Sequence, residues 1–131
     1  MLEVGLANEI KRTVERKDLA SAFGSGLVDG LATPALVGFC EECARLTVDH
    51  LLTDGRQTVG TRIDLRHLAA TPMGMEVTVH AKLVEVDGRR LLFTVEARDE
   101  EESICEAEHE RFIIDSERFA RRLTDKQRPG P

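Results

Sequence analysis

Between Pro34 and about Leu52, apolar residues occupy Ala35, Leu36, Val37, Phe39, Cys40, Cys43, Ala44, Leu46, Val48 and Leu51. That is far more than the single stripe of a surface helix, so the segment predicts one long helix wrapped by other structure. Thr33 suits its N-cap and Pro34 its first helical position, and no Gly or Pro interrupts it after Gly38. From Val59 the period changes to two. Val59, Thr61, Ile63, Leu65 and His67 alternate with Gly60, Arg62, Asp64 and Arg66. After Gly74, Met75, Val77, Val79, Ala81 and Leu83 share the next strand face, and a phase slip at Leu83-Val84 predicts a bulge. Asp87-Gly88 marks a hairpin turn, beyond which Leu91, Phe93, Val95 and Ala97 alternate with Leu92, Thr94, Glu96 and Arg98. The last strand sets Cys105, Ala107, His109, Arg111 and Ile113 on one face.

The flanks are less patterned. Residues 7–17 carry Ile10 and Val14 among charges and fit either a polar edge strand or a short helix. Leu19 to Gly30, with three Gly among small residues, reads as a mobile loop. Ser116 to Leu123 predicts a short helix, and the tail over 124–131, like the N-terminal segment, is expected to be poorly ordered. A long helix followed by four antiparallel strands on mostly tight turns fits one α+β domain over 1–131, its sheet curled around the helix.

Composition narrows the chemistry. The 131 residues contain five Phe and neither Trp nor Tyr, so aliphatic side chains fill the core and base-stacking platforms for nucleic acid are hard to build. With 18 Lys and Arg against 24 Asp and Glu, the formal charge of −6 disfavours a nucleic-acid partner. Two or three well-placed cations still suffice to hold the phosphates of a small ligand. No run of 18 uncharged apolar residues occurs, so no membrane partner is expected. Three Cys, an odd number, fit a reducing compartment and a cytoplasmic location.

The stretch LATPALVGFCEECARLTVDHLL, with VGTRIDLRHLAATPMGMEVTVHAKLVEVDGRRLLFTVEARDEEESICEAEHERFII after it, resembles the fluoroacetyl-CoA thioesterase-like branch of the hotdog superfamily. The likeness covers about residues 30–115. It is most specific at Ala32-Thr33-Pro34, Glu41, Gly60-Thr61-Arg62, the run His67 to Gly74, and His109-Glu110-Arg111. It implies a curved antiparallel sheet wrapped around a central helix, pairing of two chains as a homodimer or within a tetramer, and active sites at the interface. It further implies hydrolysis of short-chain acyl-CoA thioesters without metal or other cofactor, with Thr33, Glu41 and His67 catalytic and Gly60 and Arg111 lining the acyl end of the pocket. Specialised members of the branch close that pocket with aromatic residues before the helix. Ala22 to Leu27 offers only Phe23, which argues against a dedicated fluoroacetyl-CoA preference.

The residue types suit that chemistry. Thioester hydrolysis needs a nucleophile or activated water, a proton carrier, and donors for the developing oxyanion. A hydroxyl at a helix start lies where the dipole favours negative charge, and a neutral imidazole with a pKa near ~6.5 accepts a proton at neutral pH. Taken locally, each residue also has a plainer reading. Thr33 is an N-cap, His67 a hydrogen-bonded boundary residue, Glu41 a solvated carboxylate beside Glu42, and Arg111 a strand-edge cation reaching water. Glu41 stands eight residues beyond Thr33, about 12 Å along an ideal helix, so it acts further along the groove or meets a site completed by a second subunit. An inward Arg111 requires an anionic partner, for which Glu41 is a candidate.

Cys40-Glu41-Glu42-Cys43 has C-x-x-C spacing, but stands mid-helix without a second Cys pair and reads as packing. Arg89 and Arg90, with Lys82 and Arg62, are candidates for coenzyme A phosphates, or simply charge on solvated strands. Two other functions fit the same pattern. One is an acyl-CoA sensor or carrier without turnover, marked by saturable binding and no hydrolysis. The other is a hotdog hydratase, marked by water addition to an enoyl thioester, for which no Asp and His pair is found in the strand-helix context.

Overall fold

A computed structural model describes residues 2–127. In chain order it contains β1 (Ala7–Thr13), α1 (Ala20–Phe23), α2 (Thr33–Val48), β2 (Arg56–His67), β3 (Glu76–Asp87), β4 (Arg90–Arg98), β5 (Ser103–Asp115) and α3 (Ser116–Lys126), with 3-10 turns at Arg16–Asp18 and Asp49–Leu51. The five strands form one antiparallel sheet in the order β1-β3-β4-β5-β2. The fold is therefore α+β, and α2 touches every strand, β3 and β1 most extensively.

The alternating faces meet the helix as their pattern demands. Val77, Val79, Ala81 and Leu83 of β3 and Leu91, Phe93, Val95 and Ala97 of β4 are at most 1% exposed, packed with Leu36, Cys40, Cys43, Ala44 and Val48 of α2. Burying each Val, Leu or Phe among them supplies roughly 1.5–3 kcal/mol, which holds the sheet against the helix. The phase slip at Leu83-Val84 is a bulge, with the register shifting between Leu83 and Glu85.

Of the two readings open for residues 7–17 the edge strand is found, with residues 7–13 antiparallel to β3. Other expectations need revision. The strands do not simply meander, because β2 lies beyond β5, and the segment from Leu68 to Met75 must carry the chain back across to β3. That crossover is tied down by three backbone bonds, Leu68 N–H to the Ile104 carbonyl, Gly74 N–H to the Val14 carbonyl and Leu31 N–H to the Thr71 carbonyl, each at 2.8 Å. The buried Thr71 hydroxyl donates to Asp99 at 2.9 Å. Burial pushes the Asp99 pKa up, but the N–H groups of Glu101 and Glu102 and the Thr71 hydroxyl outweigh it and hold it below the usual carboxylate value.

The helix ends at Val48, and a 3-10 turn covers the rest of its expected length. It is covered on one side only: Gly38, Arg45 and Leu46 face outward. The loop expected over Leu19 to Gly30 contains the short helix α1, closed by Gly24 at φ 71°. α3 persists through Thr124 to Lys126, and the end of the expected disordered tail, residues 128–131, lies outside the described residues. All three cysteines are free and buried, Cys40 Sγ lying 3.8 Å from Cys105 Sγ, as packing side chains. No helix among the described residues is long and apolar enough to cross a membrane.

Candidate active site

Thr33 is the first residue of α2, and Ala32, in extended conformation, takes the N-cap position with no side-chain cap bond. The simple capping role for Thr33 is thus replaced. Its hydroxyl instead meets Nδ1 of His67, the last residue of β2, at 2.9 Å. Backbone bonds on both sides hold the two together. Ala32 N–H donates to the Asp18 carbonyl and Leu31 N–H to the Thr71 carbonyl, both at 2.8 Å, while Leu68 N–H anchors the residue after His67 on β5. The pair opens on a cleft of about 850 Å3 lined by Ser25 to Thr33 and His67 to Pro72.

His67 is half-buried, and its Nε2 is shielded without a hydrogen-bond partner among the described residues. Burial lowers the imidazole pKa below the ordinary histidine value, and the Ala69 backbone works more weakly the other way. A neutral ring at neutral pH follows, able to accept the Thr33 proton at Nδ1.

A second cluster forms around Arg111, which is 4% exposed. Its Nε donates to Thr58 Oγ1 at 2.8 Å, one terminal nitrogen to the Thr58 carbonyl at 3.0 Å, and the other to His109 Nε2 at 3.1 Å. Arginine has donors only, so His109 Nε2 must accept and its Nδ1–H must donate to the Arg62 carbonyl, at 2.8 Å. Burial first, and Arg111 as well, lower the His109 pKa and keep it neutral. Glu41 reaches Arg111 at 3.8 Å, with 43% of its side chain exposed. Gly60 completes the cluster, since a Cβ there would stand 2.5 Å from Glu41 Oε2 and 3.1 Å from His109 Cε1.

A bulge makes this possible. The register of β2 on β5 shifts between Gly60 and Arg62, leaving Thr61 as the extra residue, its hydroxyl held by the Glu110 carboxylate at 2.7 Å. The alternation expected to set Val59 and Thr61 with Ile63, Leu65 and His67 therefore breaks. Before the bulge Thr58 and Gly60 face the helix, and after it Ile63, Leu65 and His67 do. Without the extra residue Gly60 would point away from Glu41.

The structure thus joins Thr33 with His67, and separately Glu41 with Gly60 and Arg111; no hydrogen bond among the described residues links the two groups. Thr58, and Asp49, which accepts from its hydroxyl at 2.6 Å, were not picked out from the sequence. The isolated Gly60 inside a strand was the available signal, as such a glycine often marks a bulge and so a change of face. Among the candidate phosphate-binding cations, Arg62 is paired with Glu108 and Arg90 with Glu85 and Glu110. Arg89 instead lines a recess of about 200 Å3 with Arg56 and Arg118.

An antiparallel sheet curled on one long helix is the hotdog fold. It is shared with a hot-dog-like protein from Thermanaerovibrio acidaminovorans at a TM-score of 0.88 and 22% identity, over 98% of this chain and 96% of that one. The fluoroacetyl-CoA-specific thioesterase family matches residues 14–117, and the chain belongs to that family. The fluoroacetyl-CoA thioesterase of Streptantibioticus cattleyicolor is 40% identical over 100 residues, 76% of this chain and 71% of the relative. A mutant fluoroacetyl-CoA-specific thioesterase solved with fluoroacetate and CoA superposes with a TM-score of 0.84 at 31% identity, over 90% of this chain and 99% of that one.

Proposed function

We propose that the protein is an acyl-CoA thioesterase that hydrolyses short-chain acyl-CoA to free acid and coenzyme A. The observation that carries this is the 2.9 Å contact between the Thr33 hydroxyl and His67 Nδ1 at the start of α2, inside an open cleft. Family membership supports the reaction class, and the solved relative with CoA supports the kind of ligand.

In this reading neutral His67 takes a proton from Thr33, or from a water held by it, as the oxygen attacks the thioester carbon. The helix start favours the oxyanion that develops. The resulting imidazolium then gives the proton to the departing thiolate as the C–S bond breaks. Where Thr33 is the attacking oxygen, His67 next deprotonates a water that attacks the acyl-Thr33 ester and returns that proton to the Thr33 oxygen, releasing the acid, so no metal or other cofactor is required. Arg111 and Gly60 line the acyl end, where the missing Cβ leaves room beside the Glu41 carboxylate. Glu41 orients the attacking group or assists proton transfer.

A homodimer, alone or within a tetramer, completes the site. Among the described residues β2 pairs only with β5 and so presents a twelve-residue open edge, a template for pairing with a second copy. Such pairing would let the Glu41 cluster of one chain serve the Thr33–His67 pair of the other, which the ~12 Å helical separation within one chain disfavours. The three unpaired cysteines fit a cytoplasmic location.

Thiol release measured over a panel of acyl-CoAs tests the reading. Turnover highest on short acyl groups is expected. Saturable binding without release at any chain length would instead leave an acyl-CoA sensor or carrier, and water addition to crotonyl-CoA would make it a hydratase.

A further inference from the structure

The contacts around Arg111 share its charge unevenly. Glu41 lies 3.8 Å away, beyond hydrogen-bond distance, and keeps 43% of its side chain in solvent. On the opposite side the path is continuous: Arg111 Nε donates to Thr58 Oγ1 at 2.8 Å, and the same hydroxyl donates to Asp49 Oδ1 at 2.6 Å. A hydroxyl has one proton, so the bond to Asp49 fixes its rotor and aims a lone pair at the guanidinium. Thr58 is 4% exposed, and its carbonyl takes a second Arg111 nitrogen.

The groups facing Arg111 come from three elements and the turn after α2. They are Glu41 and the like-charged Arg45 of α2, Asp49 in that turn, Thr58 of β2 and His109 of β5. Burial lowers the Arg111 pKa, Asp49 opposes this more than Glu41 does, and Arg45 reinforces it. His109 is neutral and brings no charge.

We propose that Asp49 and Thr58 are positioning residues: Asp49, relayed through the Thr58 hydroxyl, is the main counter-charge of Arg111 and fixes its fork, leaving the Glu41 carboxylate uncommitted and available to the reaction. Were Glu41 the partner of Arg111, a tight ion pair would occupy both its oxygens and its proton affinity would serve the fold. Holding the guanidinium from behind allows one carboxylate to stabilise and another to act. The kinetic part of this inference rests on the thioesterase reading; the structural part does not.

Four variants of the full chain separate the roles. Asp49→Asn keeps an acceptor for Thr58 but removes the charge, and is expected to lower Tm by about 5 °C. Glu41→Gln should change Tm by no more than about 2 °C, yet lower kcat by about 10²-fold. Thr58→Val removes the relay at nearly constant volume. It should raise KM for a short acyl-CoA about tenfold with kcat within about threefold, a split that simple loss of folded enzyme would not produce. Thr58→Ser should restore the wild-type KM, which guards against a packing defect from the added valine methyl.

A readout independent of hydrolysis is the ¹⁵N resonance of the Arg111 Nε–H, assigned by its disappearance in Arg111→Lys. It should be protected from solvent exchange in the wild type and in Thr58→Ser, and lose that protection in Thr58→Val. Equal Tm losses in Asp49→Asn and Glu41→Gln, or unchanged protection in Thr58→Val, would overturn the proposal. If the wild type releases no thiol from any acyl-CoA, the thioesterase reading fails, while the Tm order and the Nε–H signal still decide the division of charge.

Discussion

The Thr33–His67 pair and the Arg111 cluster both draw on α2 and β2, the cluster adding Arg111 and His109 of β5, but they are built in opposite ways. Thr33 is exposed and His67 half-buried, and a single side-chain bond joins them. Arg111 is nearly sealed off and gripped by Thr58, its carbonyl and His109, with Asp49 behind. In the proposed reaction the Thr33 hydroxyl would exchange its proton and meet substrate, and a loosely held pair suits that role. A permanent buried charge costs several kcal/mol unless it is fully paired, so it is braced on every side. Substitutions in the first region should therefore remove activity and spare stability, and those in the second should strike stability as well.

The sharpest test of that contrast is His67→Ala, expected to lower kcat/KM about 10³-fold in a thiol-release assay while shifting Tm by less than about 2 °C. Wild-type turnover in this variant would remove the assignment of His67. Arg111→Leu should show the reverse balance. It strands buried partners at Thr58 and His109, and chemical denaturation should register a loss of about 3 kcal/mol. Unchanged stability would mean that the bracing has no energetic role.

Gly60→Ala probes the boundary between the two regions. The new Cβ would press on Glu41 Oε2 at 2.5 Å, and the half-exposed carboxylate is free to swing away. A folded protein with roughly 10- to 100-fold lower kcat/KM is expected, because displacement by about 1 Å is costly for catalysis. Full activity would show that the position of Glu41 does not matter.

The smallest effect concerns pH. Burial lowers the pKa of both His67 and His109 in the folded chain. The unfolded chain therefore binds more protons just below the ordinary histidine value of about 6.5, and stability is lost as pH falls through that window. The acid limb of kcat/KM should lie below about pH 6.5, since His67 must be neutral to accept a proton. Tm and initial rate measured from pH 8 to 5 check both signs, and a limb above 7 would contradict a depressed imidazole.

The elements of the fold were legible where one period ran unbroken. Val77 to Leu83 and Leu91 to Ala97 alternate cleanly, and every inward position is buried. The same pattern misled at Val59 and Thr61, because one extra residue at the bulge exchanges the two faces and nothing in a period-two pattern counts residues on the neighbouring strand. Thr58 was lost for that reason, and Asp49 with it.

Local sequence by itself determined the long helix, the strand faces and the residue types needed for thioester chemistry, since periodicity, Gly and Pro act over a few neighbours. The tertiary structure alone decided that β2 crosses beyond β5, that Thr33 meets His67 rather than capping its helix, and that Arg111 is linked to Asp49 by hydrogen bonds through Thr58 while Glu41 stands 3.8 Å away. Each of those outcomes joins residues far apart in the chain. Which of several partners a hydroxyl or a guanidinium takes depends on distances that only the packed sheet and helix set.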